Sequence, residues 1–293
     1  MKESTTTMQV SHARSAVGAA LATASALGLT ADDAVVLHDS NRLTVRLLPC
    51  DVVARIAPVS YQASAEFEVN IARRLAEVDG PVAALDPRVE PCVFVRHGFV
   101  INMWTYYEPV SPSEIAPAEY AQALKRLHAT MREIDLPTPH FTTRITEAQG
   151  LVDDRARTPA LAEPDREFLS NTLRQLRSAI SQRGAAEQLL HGEPHPGNLL
   201  RTKNGLLFID LETCCRGPVE FDVAIAPKEV SEHYQFADRD LLGECRALAL
   251  GLVAAWRWDR DDRFPNGHQM GIEMLSQLRA TLDRSGLDAT PSP

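Results

Sequence analysis

Hydrophobic positions along the chain change period several times, and the changes mark the elements. Val17, Leu21, Ala24 and Leu27 recur at helical spacing with Thr23 and Ser25 off the stripe, which predicts an amphipathic opening helix within Ala16 to Leu29. The same small, apolar stretch behind Arg14 also has the make-up of a signal peptide, but the helical stripe favours the helix. Short apolar segments around Ala34–Leu37, Leu43–Leu48 and Val52–Ile56 follow. They are separated by the polar run His38 to Arg42 and by Pro49-Cys50-Asp51, and predict three antiparallel strands joined by tight turns. Ser64 to Val78 returns to a helical period, with Glu68, Ile71 and Leu75 on one face. Cys92–Val95 and Phe99–Met103 predict two more strands around Arg96-His97-Gly98. From Ser113 onward the pattern is mainly helical: around Tyr120 to His128, Glu163 to Arg183, Asp240 to Trp258 and His268 to Leu282.

The helical half is interrupted by Leu189 to Ala224. Apolar runs Leu199-Leu200 and Leu206 to Ile209 flank Thr202-Lys203-Asn204-Gly205, and Asn-Gly between such runs predicts a hairpin because both residues tolerate positive φ. The second strand then delivers Asp210 at its end, beside the loop that holds Glu193 and Asn198. Phosphoryl transfer requires a carboxylate to orient or deprotonate the attacking hydroxyl, with an amide and a carboxylate to hold Mg²⁺ against the phosphates. In the protein-kinase pattern the base is followed five residues later by Asn, and a metal-binding Asp comes later in the chain. Glu193, Asn198 and Asp210 keep that order and spacing.

These motifs carry a resemblance. His191-Gly192-Glu193-Pro194-His195-Pro196-Gly197-Asn198 resembles the HGDxxxxN signature of aminoglycoside phosphotransferase and choline kinase-like enzymes. Ile209-Asp210-Leu211-Glu212 is similar to that family's metal-binding segment, and Gly217 to Ala224 to its G-D-P-x-x-D-L-A segment. The resemblance implies an α+β, bilobal protein-kinase-like fold. A small antiparallel-sheet lobe would span residues 1–103 and a larger, mainly helical lobe residues 104–293. It implies Glu193 as the catalytic carboxylate, His191 as a brace for its loop, and Asn198, Asp210 and Glu212 as metal ligands. Asp222 would brace the catalytic loop's backbone. The departure from the family is Glu193, which stands where the signature has Asp and carries one more methylene.

In the sheet half, Val53-Ala54-Arg55-Ile56 resembles the kinase strand with the phosphate-binding lysine, with Arg55 in its place. A carboxylate on the apolar face of the next helix needs a cation, so Glu68 is the expected partner of Arg55. By resemblance, backbone groups of Ser40 and Asn41 approach the nucleotide phosphates, although the same residues also suit an ordinary hairpin. Met103 and Trp104 fall at the hinge that pairs with adenine, or at an aromatic strand end in the core. The implied cofactors are ATP, with GTP as the alternative nucleotide, and Mg²⁺. The acceptor would be a small-molecule hydroxyl, for which an aminoglycoside, another antibiotic, an amino sugar, a choline-like alcohol and a homoserine-like metabolite are all open.

Composition adds exclusions. With 293 residues, 44% of them hydrophobic, the chain can bury a large core. No apolar run approaches the ~18 residues of a membrane span. A formal charge of −9 argues against a nucleic-acid partner and suits a cationic acceptor. Cys50, Cys92, Cys214, Cys215 and Cys245 form no CxxC pair and fit reduced thiols in the cytoplasm, where an ATP-using enzyme also belongs, as a monomer or a homodimer. His191 and His195 beside Glu193 do not make an H-E-x-x-H zinc helix, because Gly192, Pro194, Pro196 and Gly197 forbid the helix. The competing class to an enzyme is a nucleotide-binding pseudokinase with a sensing or scaffolding role, motivated by Glu193 and by a phosphate loop without glycine.

Overall fold

The computed structural model describes residues 10–40, 42–108, 110, 115–235 and 237–285. In chain order its elements are α1 (Val10–Ala26), β1 (Ala31–Asp39), β2 (Leu43–Pro49), β3 (Val52–Pro58), α2 (Gln62–Glu77), β4 (Phe94–Arg96), β5 (Phe99–Thr105), α3 (Pro117–Met131), α4 (Phe141–Asp153), α5 (Glu163–Gln182), β6 (Gln188–Leu190), β7 (Leu199–Thr202), β8 (Gly205–Phe208), β9 (Cys215–Gly217), α6 (Val219–Ile225), α7 (Arg239–Arg257) and α8 (Gly267–Ser285). They form two compact units, Met1–Ile134 with Gly197–Cys214, and Asp135–Pro196 with Cys215–Pro293. These differ from the expected lobes, 1–103 and 104–293. Helix α3 belongs with the sheet, where Tyr120 meets Phe208 of β8 edge-on at 6.3 Å.

The sheet unit is built on five antiparallel strands in the order β1-β2-β3-β5-β4. Strand alternation sorts its side chains onto two faces. Leu43, Val45, Leu47, Val52, Ala54, Ile56, Phe99, Ile101 and Met103 share one buried cluster with Ala16, Ala19, Ala20 and Ala24 of α1. The helix is thus amphipathic as expected, but through a different stripe. Of the expected stripe Ala24 is in the core and Val17, Leu21 and Leu27 only flank it; Ser25 lies off it as expected, whereas Thr23 is buried and donates its hydroxyl to Ala19 O at 2.8 Å. Small side chains win this face because they let the helix backbone lie close to a sheet already filled with branched residues.

The other sheet face is covered by α2, whose Ala65 packs with Ala57 and Val100. Behind α2, the segment 81–83 pairs with β8: Phe208 N donates to Pro81 O at 2.8 Å, and Ala83 N to Phe208 O at 2.9 Å. The β7–β8 hairpin forms as predicted, with Thr202 opposite Gly205. Its turn is Lys203-Asn204, however, and of the Asn-Gly pair only Gly205 has positive φ, at 116°. Thr202 Oγ1 closes the turn by accepting from Asn204 N at 3.1 Å.

The helical unit has its own core. Phe141, Ile145, Ala148 and Val152 of α4, Leu169, Leu173, Leu176 and Ile180 of α5, Cys245, Leu248 and Leu252 of α7, and Leu275, Leu278 and Leu282 of α8 form one buried cluster. The short β6–β9 pair lies beside it. A Cβ on Gly217 of β9 would come within 2.9 Å of the Phe141 ring, so the close approach demands glycine there. Among the described residues, no helix is long and apolar enough to cross a membrane.

Candidate active site

In the sheet unit, a buried carboxylate organises the polar face. Arg55 points away from the α1 side because Ala54 and Ile56 occupy it, and the β2–β3 register sets Thr44 opposite Arg55. Arg42 has the same parity as Thr44 and shares that face. Helix α2 answers with Glu68, which is fully buried and accepts from Arg42 Nη1 at 3.0 Å, from Arg55 Nη1, and from Leu211 N at 3.2 Å. The expected Arg55–Glu68 pair is thus formed, while Glu66 bonds Gln62 on the exposed side. Arg55 also reaches Asp210, with Nη2 at 2.7 Å from Oδ1. Burial alone would lower the Arg55 pKa, but the Glu68 and Asp210 carboxylates outweigh it and hold it above the ordinary value. For Arg42 burial wins over the attraction of Glu68, and its pKa falls.

Arg42 is the member of this cluster that the sequence concealed. It closes a polar run that reads as a turn, yet it is buried, bridging Glu68 to Glu212 and donating to Ser64 Oγ at 2.8 Å. Ser64 Oγ in turn donates to Glu212 Oε2 at 2.8 Å. The same oxygen of Glu212, expected at the metal, is therefore taken by Arg42 and Ser64, which makes this residue a strut between α2 and the 211–213 turn.

The hairpin brings the other two expected metal ligands to one end. Leu199 pairs with Phe208, and Ile209 N donates to Asn198 O at 3.0 Å, so Asn198 and Asp210 flank the open end of the same ladder. Asp210 has φ 67° and ψ 63°, a left-handed conformation uncommon for a residue with a Cβ. That conformation ends β8 at the point where the carboxylate meets Arg55. Among the described residues no three His, Cys, Asp or Glu side chains form a ready-made metal cage. An amide and a carboxylate are nevertheless the hard oxygen donors that suit Mg²⁺, which takes one or two carboxylates and completes its shell with phosphate oxygens and water.

The residues expected at the nucleotide are placed less simply. Ser40 N donates to Arg42 O at 3.2 Å, closing the turn on itself, and Asn41 lies outside the described residues. Met103 and Trp104 are buried in β5, opposite Ala54 and Val53 of β3. On the other edge Asp86 N donates to Met103 O at 3.0 Å and Thr105 N to Ala84 O at 2.9 Å. The backbone edge an adenine would use at Met103 is thus already paired with the 84–86 segment.

In the helical unit, Asp222 shapes the Glu193 loop. Its fully buried carboxylate accepts from His191 N at 2.9 Å and from Gly192 N at 2.8 Å. Gly192 takes φ 86°, the left-handed turn that lets both N–H groups face one carboxylate. His191 is fully buried and accepts from Glu193 N at Nδ1, at 3.3 Å, the bracing position expected of it. Glu193 itself is half-buried and ion-paired with Arg144 of α4, whose Nη1 also donates to Gly192 O at 2.8 Å. One guanidinium therefore fixes both the loop backbone and the side chain it presents. Arg144 stands beside the buried stripe of α4 and no local pattern marks it; only its position across from the loop, 49 residues on in the chain, reveals it.

Glu193 opens into a cavity of about 730 Å³ within the helical unit. The lining has an apolar part, with Ile225, Leu250 and Val253, and a charged part with Arg144, Lys228, Arg246, Arg257 and Arg284. Among the described lining residues Glu193 is the sole carboxylate. The wall of this cavity is therefore mainly positive although the chain carries a net charge of −9; the acidic excess lies elsewhere. Asp259 is paired with Arg157 and Asp262 with Arg257, while Trp258 is buried against the His268 ring at 4.6 Å.

Comparison with known proteins agrees with this architecture. No curated protein matches the sequence. Among solved structures, the amicoumacin kinase hAmiN in complex with AMP-PNP, Ca²⁺ and Ami superposes with a TM-score of 0.69 at 12% identity, covering 93% of this chain and 96% of that one. Choline kinase LicA from Streptococcus pneumoniae gives 0.68 at 12% identity, covering 90% and 98%. The GDP and kanamycin complex of APH(2")-IIia gives 0.63 at 13% identity, covering 94% and 99%. At such identities the likeness carries the fold: an α+β, protein-kinase-like architecture with a sheet lobe and a helical lobe. A model of the phosphotransferase enzyme family matches residues 28–263, and the chain belongs to that family.

Proposed function

We propose that the protein transfers the γ-phosphoryl group of ATP to a hydroxyl of a small molecule. The observation that carries this is the Arg55 guanidinium shared between buried Glu68 and Asp210. It is a fixed cation beside a carboxylate at the end of a hairpin, the pairing that phosphate and its metal ion require. Arg55 would hold phosphate oxygens, with Glu68 and Arg42 fixing its position. Asp210 and Asn198 would hold Mg²⁺, which neutralises the charge of the transferred group when bound. Glu193 would orient the acceptor hydroxyl and take its proton, held at its station by Arg144 and by the His191–Asp222 brace. The acceptor oxygen bonds to the γ-phosphorus as the bond to the bridging oxygen breaks; ADP leaves with that electron pair, and the proton passes through Glu193 to water. A reaction of this kind belongs in the cytoplasm.

The test is ³¹P NMR of Mg²⁺-ATP, and separately of Mg²⁺-GTP, with the wild type and with Asp210→Asn. Slow nucleoside diphosphate release is expected from the wild type and a fall of about 100-fold or more in the variant. Nucleotide-dependent line broadening without turnover would replace this proposal by a pseudokinase. Absence of broadening with both nucleotides would remove nucleotide chemistry altogether.

A further inference from the structure

The cavity beside Glu193 is lined by more positive charge than ion pairs among the described residues neutralise. Arg144 is paired with Glu193, and Arg257 with Asp262 through Nη1 at 2.7 Å and 2.9 Å. Lys228, Arg246 and Arg284 make no ion pair among the described residues, though they come from three separate segments and converge on one cavity. Arg246 is the best fixed of the three. Its Nη2 donates to Lys228 O at 3.4 Å and to Ser231 Oγ, so the segment before α7 orients the guanidinium while its charge stays uncompensated at contact range. Burial lowers its pKa, and Glu229, which opposes that effect, does not line the cavity. A half-buried cation without a contacting carboxylate is stabilised by any anion that enters. Ile225, Leu250 and Val253 supply an apolar wall in the same cavity, whose volume of about 730 Å³ lies within the range of small-molecule sites.

We infer that this cavity binds the acceptor, and that the acceptor is a hydroxyl compound with a hydrocarbon body and an anionic group, carboxylate or phosphate, held by Arg246 and Lys228. Its role as an acceptor rests on the phosphotransferase proposal; its charge preference does not. The anionic group anchors the molecule and the hydroxyl faces Glu193. The hydroxyl oxygen gains the phosphoryl group, its proton goes to Glu193, and ADP carries away the electrons of the broken bond. Arg284 lies on α8 and adds to the positive field.

The experiment separates the two layers. The full-length protein without nucleotide is titrated with 8-anilinonaphthalene-1-sulfonate, an aromatic anion, alongside Lys228→Met, Arg246→Met and Asp210→Asn. One saturable site is expected, about tenfold weaker in Arg246→Met and a few-fold weaker in Lys228→Met. Asp210→Asn should leave it unchanged. Lys228 is exposed, so its replacement should leave folding intact and the test survives if Arg246→Met is unstable. In competition, 4-(hydroxymethyl)benzoate or 4-(hydroxymethyl)phenyl phosphate should displace the dye, the better of the two naming the anion, and 4-(hydroxymethyl)benzylamine should not. Absence of a saturable site, indifference to both cation variants, failure of both anions to compete, or stronger competition by the amine would each overturn the inference. ATP turnover is scored separately by ³¹P NMR. An anion site without turnover removes the kinase chemistry and keeps the pocket; turnover with a cationic acceptor does the reverse.

Discussion

Glu68 and Glu193 are both glutamates held by arginine, and they sit in opposite settings. Glu68 is fully buried, and its two oxygens accept from Arg42, Arg55 and the Leu211 backbone. Glu193 keeps a third of its side chain exposed, at a cavity, in the grip of Arg144. The first arrangement fastens a helix, a strand and two turns together. The second fixes a direction while leaving the carboxylate within reach of a ligand. The same kind of ion pair is therefore sealed inside the protein in one case and presented at a cavity wall in the other.

The widest gap between the two should be in stability. Glu68→Ala removes one of the two carboxylates that each of Arg42 and Arg55 contacts and leaves Leu211 N without its acceptor, and urea denaturation should reveal a loss of about 3–5 kcal/mol. Glu193→Gln should stay within about 0.5 kcal/mol of the wild type, while ³¹P-monitored turnover falls about 100-fold or more. Equal losses of stability in both variants would break the comparison. Glu193→Asp sharpens it. The family signature carries Asp, but here Arg144 meets the longer side chain, so shortening should cost about 100-fold in rate with little change in melting temperature. A gain in rate would mean instead that the loop was never rebuilt around Glu. Arg144→Lys keeps the charge and loses the fork between Gly192 O and the carboxylate, so it should fall between wild type and Glu193→Asp.

Smaller effects belong to positions away from both glutamates. Gly217→Ala pushes a methyl group into Phe141 and should cost about 1–3 kcal/mol, read by thermal unfolding. Asp86 is buried, which alone would raise its pKa, but bonds from Arg88 (Nε at 2.9 Å, Nη2 at 2.6 Å) and from the Arg88 backbone N–H pull it below the ordinary value. Its contribution is present above the unfolded-state pKa near 4 and is lost as pH falls through the lower folded value. Asp86→Asn should cost about 1–2 kcal/mol at pH 7, and urea titrations should see the difference shrink as pH falls past the ordinary carboxylate range and through the lowered folded-state value.

Local signals made part of this legible from the residues alone. The hairpin turn, the delivery of Asp210 beside Asn198, and the need of Glu68 for a cation all follow from patterns spanning a few residues or one helix face. Arg42 escaped because a polar run resembles a turn. Its parity with Arg55 appears only once Leu43 is paired with Ile56. Arg144 escaped because its partner lies on a loop that no helical period can point to. On α1 the larger apolar residues drew the stripe in sequence, while the sheet selected alanines, a choice made by the partner surface and invisible in the helix itself. The positive cavity wall was hidden for a similar reason: net charge is a sum over the whole chain, and a pocket samples only its own walls.

The link from Arg55 to Asp210 carries a thermodynamic consequence. On the proposed roles, the metal ion claims Asp210 and the nucleotide phosphates claim Arg55, so each arrival alone gives up the Arg55–Asp210 link for one new contact. Arriving together, they exchange one ion pair for two. Metal and nucleotide should therefore raise each other's affinity by the same factor, whichever is added first. Replacing Arg55 by Met should shrink that shared factor together with the phosphate contact, leaving only the coupling that comes from the phosphates ligating the metal directly.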